Sequence, residues 1–129
     1  MKKGWCAVNR TKTNLILLLA IVVLLAAGCE SSVSNQSPVG GAKSFVKAMV
    51  NHDANLMKKI NHSHPLFYPP QHCLEMATRE NWSQYRLDQF QYKDLGNGKV
   101  EVTFPDGKEK MTLEMVNENG RWYFSGLVR

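Results

Sequence analysis

The chain has no acidic residue before Glu30. Its formal charge of +5 at first suggests a nucleic acid or an acidic surface as partner. Yet Lys2, Lys3, Arg10 and Lys12 all lie in the acid-free opening, and taking these four from the 16 cations leaves 12 against 11 acids. The basic balance belongs to the opening segment, and the remainder is close to neutral. No Lys/Arg cluster interleaved with aromatics follows, so no nucleic-acid partner is expected. A long apolar run is missing too. The uncharged stretch Leu15–Ala27 has about 13 residues, short of the ~18–20 that a helix needs to span a bilayer. That length argues against a retained membrane span. Cysteine is scarce, with Cys6, Cys29 and Cys73 the complete set. There is no internal repeat, and 129 residues set a prior of one domain.

The opening that remains has three parts: a cationic stretch to Asn14, the apolar run, and then Gly28 and Cys29. A basic start, a short apolar core and small residues before a cut site predict a secretory signal peptide over residues 1–28. The segment "LLAAGC", Leu24 to Cys29, resembles the lipobox of bacterial lipoproteins. That family usually has Leu three places before the cysteine; here Ala26 stands there and Leu25 one place earlier. The resemblance implies that the Cys29 thiol receives a diacylglycerol and that cleavage leaves Cys29 as the new N-terminus. The protein would then be exported and lipid-anchored to a bacterial membrane. Two or more acyl chains hold stably where one does not, at ~0.8 kcal/mol per buried CH₂. In many Gram-negative bacteria an Asp after the cysteine retains such proteins at the inner membrane. Glu30 leaves outer-membrane sorting open, and a Gram-positive host offers only the outer face of its cell membrane. On this reading Cys6 leaves with the signal peptide, Cys29 carries lipid and Cys73 stands alone. A disulfide scaffold is thereby excluded, and the domain must be held by its own apolar core.

Residues 29–41 are expected to be the lipidated cysteine and a flexible Ser/Gly tether, since "ESSVSNQSPVG" has nothing to bury. A globular domain is expected over 42–129. Its first part, "AKSFVKAMVNHDANLMKKI", places Ala42, Phe45, Val46, Met49 and Val50 at helical spacing, with Leu56, Met57 and Ile60 resuming the stripe. Asn51 can end one helix and Asp53 can N-cap the next, giving two helices at an angle or one helix with a kink. The prolines of "NHSHPLFYPP" predict a loop, and Pro70 opens a short helix from Gln71 to about Asn81. Strands follow. "QYRLDQFQYKD" is strand-like, with a change of parity between Leu87 and Phe90 that predicts a bulge. "KVEVTF" turns Val100, Val102 and Phe104 to one face, and "KMTLEMV" does the same with Met111, Leu113 and Met115. "RWYFSGLV" closes the chain, and the connectors "GNG", "PDG" and "NENG" suit tight hairpins. The fold class is α+β: N-terminal helices packed on an antiparallel four-stranded meander.

The opening "AKSFVKAMVNHD" and the ending "GKVEVTFPDGKEKMTLEMVNENGRWYFSGL" resemble small bacterial lipoproteins of the nuclear-transport-factor-2-like, or ketosteroid-isomerase-like, superfamily. The resemblance covers residues 42–129 and implies a cone-shaped domain with a curved sheet around the first helix. Because that superfamily includes isomerases, dehydratases and non-catalytic binding modules, it lends a fold and no single function.

Three constellations bear chemistry. His52, His62, His64 and His72, with Cys73 beside the last, put four imidazoles and a thiol in a short stretch. Zinc would take three or four of them tetrahedrally, with His62, His64 and His72 as the set, although their spacing fits no standard metal signature. The same residues would charge together below about pH 6.5. Asp88 is the one carboxylate at a parity change, and so the candidate base for an isomerase-like reaction. The apolar faces of the second and third strands carry no acid. Trp122, Tyr123, Phe124, Tyr85, Phe90 and Tyr92 are either core or the wall of a ligand pocket. The expected function is a membrane-anchored, non-catalytic module for a small ligand or an envelope protein, with no cofactor. The alternatives are an envelope isomerase or dehydratase using Asp88 or a histidine, and a metal-binding lipoprotein.

Overall fold

The computed structural model describes residues 34–63 and 67–128. Cys29, the expected signal peptide, the first part of the expected tether and His64 lie outside the described residues. Three helices precede a four-stranded antiparallel sheet, so the domain is α+β. Helix α1 is Pro38–Val50, α2 is Ala54–Ile60 and α3 is Pro70–Arg79. The strands are β1 (Gln91–Gly96), β2 (Lys99–Thr103), β3 (Lys110–Glu118) and β4 (Arg121–Val128), in the order β1-β2-β3-β4.

The first helix starts earlier than its apolar stripe announces. Ser37 is extended, and its hydroxyl accepts the Gly40 N–H at 3.0 Å. Pro38 follows at the first turn, where its missing N–H costs nothing and its fixed φ suits the helix. Residues 38–41, expected in the tether, therefore form the opening turn of α1. The chain is held even before it. The Trp122 N–H donates to the Asn35 carbonyl at 2.8 Å, and Asn35 is buried. From Gly41 to Val50 every residue of α1 except Lys43 and Lys47 is buried. This helix packs against all four strands, and Phe45 stacks on Phe124 with ring centroids 4.0 Å apart. The close approach needs Gly41. A Cβ there would lie 2.7 Å from the Met115 methyl and 2.8 Å from the Trp122 carbonyl oxygen.

Asn51 ends α1, His52 takes a left-handed turn at φ 50°, and Asp53 caps α2 by accepting the Leu56 N–H at 3.0 Å. The "NHD" break thus turns the chain while keeping the backbone donors satisfied. Pro70 opens α3, which ends at Arg79; Asn81, expected as its last residue, is left-handed at φ 56° and turns the chain away.

The strand expected over "QYRLDQFQYKD" is corrected. Trp82–Gln84 and Leu87–Gln89 are 3₁₀ turns, and β1 begins only at Gln91. The parity change therefore marks a 3₁₀ turn rather than a bulge. The reason is an aromatic cluster. Trp82 packs edge-on to Phe104 at 4.9 Å and alongside Phe90 at 6.0 Å, while Tyr85 meets Phe104 at 5.6 Å. An extended chain cannot bring Trp82, Tyr85 and Phe90 to one side at that spacing, because successive side chains would alternate faces. Register irregularities fall instead at Asp94/Gly96 and Glu114/Met115. Val100, Val102, Phe104, Leu113 and Met115 are buried as their alternation predicts, and Met111 is half-buried.

Gly41→Ala is expected to lower stability even though alanine is the better helix former by about 1 kcal/mol. Overpacking against a backbone carbonyl costs about 1–3 kcal/mol, so the urea midpoint should fall. A midpoint at or above the wild-type value would show that α1 is free to move off β4.

Candidate functional site

The two exposed residues within the buried stretch of α1 define the site. Lys43 and Lys47 stand one turn apart, about 6 Å along the axis, on the wall of a groove of about 460 Å³. Leu87, Asp88, Phe90 and Tyr92 line the remainder. The 3₁₀ turn Leu87–Gln89 places Leu87 and Asp88 there, and the extended residues after it place Phe90 and Tyr92. The Lys43 ammonium lies 5.5 Å from the Tyr92 ring centroid, within cation–π range. Among the described residues neither lysine has an ion-pair or hydrogen-bond partner. Burial pushes the Tyr92 phenol up to about 12, so it stays a neutral donor at physiological pH.

Asp88 lies at the rim of this groove, not in an enclosed cavity. Its carboxylate is exposed and pairs with the Arg86 guanidinium at 3.0 Å. A general base gains strength from burial without a cation beside it, and Asp88 has the opposite surroundings.

The histidines divide between different partners. His62 Nδ1 and Glu118 Oε2 are 2.6 Å apart, and the imidazole stacks flat on Tyr123 with centroids 3.7 Å apart and planes 6° apart. His52 Nε2 lies 2.9 Å from the Thr78 hydroxyl. That hydroxyl also donates to the Leu74 carbonyl at 3.1 Å. His72 is exposed on α3. Among the described residues, no three or more His, Cys, Asp or Glu side chains group where they could hold a metal ion. A second groove, about 550 Å³, runs beside α3 and is lined by His52, Leu74, Glu75 and Arg79, charges of both signs.

Cys73 and His72 point apart. The thiol is fully buried and lies 3.5 Å from the Asn61 amide nitrogen. Burial raises it to about 11, partly countered by that amide. Asn61 is itself buried and acts as a small hub. Its Nδ2 donates to the Tyr68 carbonyl at 2.8 Å, and its Oδ1 accepts the Ser63 N–H at 3.0 Å. Sequence reading missed Asn61, the His62–Glu118–Tyr123 group and the lysine groove. Only the last left a signal there: Lys43 and Lys47 are the cations at i and i+4 opposite an apolar stripe.

A thiol raised from 9.0 to about 11 has about 100-fold less thiolate at pH 8, and thiolate is the reactive form. Peptide mapping after iodoacetamide treatment should find Cys73 labelled at least that much more slowly in the native protein than in urea. Equal rates in both states would mean that the helix does not shield it. No protein-family model matches this chain, and no curated protein or solved structure matches it either.

Proposed function

We propose that this protein is an exported bacterial lipoprotein, held at a membrane surface by lipid on Cys29, whose domain is a non-catalytic binding module of the cone-shaped, nuclear-transport-factor-2-like kind. The observation that carries the anchoring is the order of the opening: cations, a short uncharged run, then "LLAAGC". Asn35 lies six residues beyond Cys29, and that length of chain reaches at most about 20 Å. A domain tied in at Asn35 would therefore stay close to the bilayer. The binding reading rests on the groove, where two ammonium groups without an acid partner among the described residues stand beside Leu87, Phe90 and Tyr92. An isomerase-like enzyme using Asp88 is the second reading, because Asp88 lines the same groove. The Arg86 ion pair and open solvent weigh against it.

Mass spectrometry of membrane-extracted protein tests the anchoring. The expected mature N-terminus is Cys29 bearing a diacylglycerol, and Cys29→Ser should leave the protein unprocessed and unacylated. An N-terminus elsewhere, or an unmodified Cys29, would overturn the reading.

A further inference from the structure

We propose that the groove between α1 and the Leu87–Tyr92 segment binds a small apolar carboxylate, its head between Lys43 and Lys47 and its hydrocarbon body along Leu87, Phe90 and Tyr92. The inference deepens the binding reading above and does not depend on the anchoring.

The cations come first. An exposed ammonium gains little from pairing with surface acids, so what distinguishes these two cations is where they stand. On α1 the two lysines are the only exposed residues between Gly41 and Val50, and no acid of the described residues pairs with either. Asp88 is the one acid in the lining, and the Arg86 guanidinium already meets its charge. The groove therefore holds two ammonium groups with no acid partner among the described residues. Lys43 and Lys47, one helical turn apart, can turn their ammonium groups to a planar, two-oxygen head that accepts from each. Charge-assisted hydrogen bonds of this kind are roughly twice as strong as neutral ones.

The opposite wall argues for an apolar body. Leu87 and Tyr92 are half-buried, and Phe90 is buried at 5% exposure. At about 460 Å³ the space falls within the ~300–1,000 Å³ typical of small-molecule sites. The Tyr92 hydroxyl makes no hydrogen bond with any described residue. A purely ionic partner would leave the open surface of Leu87 and Tyr92 unused, and a neutral apolar one would leave both ammonium groups unmet.

Octanoate is the probe, because it is soluble and combines both features. The full-length protein in nanodiscs of zwitterionic lipid is titrated with octanoate, 1-octanol and acetate, with empty nanodiscs as the blank. Bound ligand is read by equilibrium dialysis, and the contact residues by backbone amide shifts. Octanoate should bind saturably, shift Lys43, Lys47, Phe90 and Tyr92, and weaken as salt screens the lysines. The Lys43→Gln/Lys47→Gln double variant changes only exposed side chains and should keep its thermal midpoint. Its octanoate affinity should fall at least tenfold. Equal binding by 1-octanol or by acetate, unchanged affinity in the variant, or no saturable binding would each overturn the proposal. Acylation of Cys29 is measured by mass on the same preparation, so failure of the anchoring and failure of the groove are read separately.

Discussion

The packing of α1 across the whole sheet is the contact on which the remainder of this domain depends. The helix touches all four strands, and it buries Phe45 and Val46 completely, with Met49 at 1% exposure. Each such side chain stabilises by roughly 1.5–3 kcal/mol through the area it removes from water, and the Phe45–Phe124 stack adds about 0.5–1.5 kcal/mol more. A helix can lie this close only where its side chains are small. Gly41 supplies that at the crossing with β4, and Ala42 and Ala48 are buried without adding bulk. Nearly the entire circumference of α1 is therefore committed to packing. What is left over, the Lys43–Lys47 strip, becomes the wall of the groove.

The exposed edge of the sheet follows from the same placement. An edge strand with free backbone groups invites unwanted pairing. Here β4 is covered from two sides. Asn35 accepts from Trp122, and the His62 N–H donates to the Phe124 carbonyl at 2.8 Å, next to the parallel bridge Asn61–Phe124. Asn61 then ties Ser63, Tyr68 and the Cys73 thiol to the same point. A single buried amide can do this because it offers donors and an acceptor at once. The imidazole of His62 completes the cover by lying flat on Tyr123 and reaching Glu118.

Much of the fold could be read from residue order. The stripe of α1, the Asn51 stop, the Asp53 cap, Pro70 at the head of α3 and the alternation of β2 and β3 are local signals. Each depends on neighbours within about four positions. The segment from Gln84 to Phe90 could not be read that way. Its alternation looks like a strand, but its conformation is set by the distant Phe104, against which Trp82 and Tyr85 pack. The start of α1 misled for a related reason. Pro, Gly and Ser suggest a tether by composition, yet they serve as cap and first turn once Asn35 is bound to β4.

The sequence by itself determined the acid-free opening, the short apolar run that stops before Gly28 and Cys29, and an α+β class with helices before the sheet. These rest on charge count, run length and period, which need no knowledge of distant contacts. The tertiary structure alone decided which side chains meet. It sent His62 to Glu118 and Tyr123 and His52 to Thr78, buried Cys73 against Asn61, and left Asp88 exposed beside Arg86. It also brought Lys43 and Lys47 opposite residues some 40 positions further along. Such pairings arise from the crossing of α1 over the sheet, and no local pattern encodes where that crossing falls.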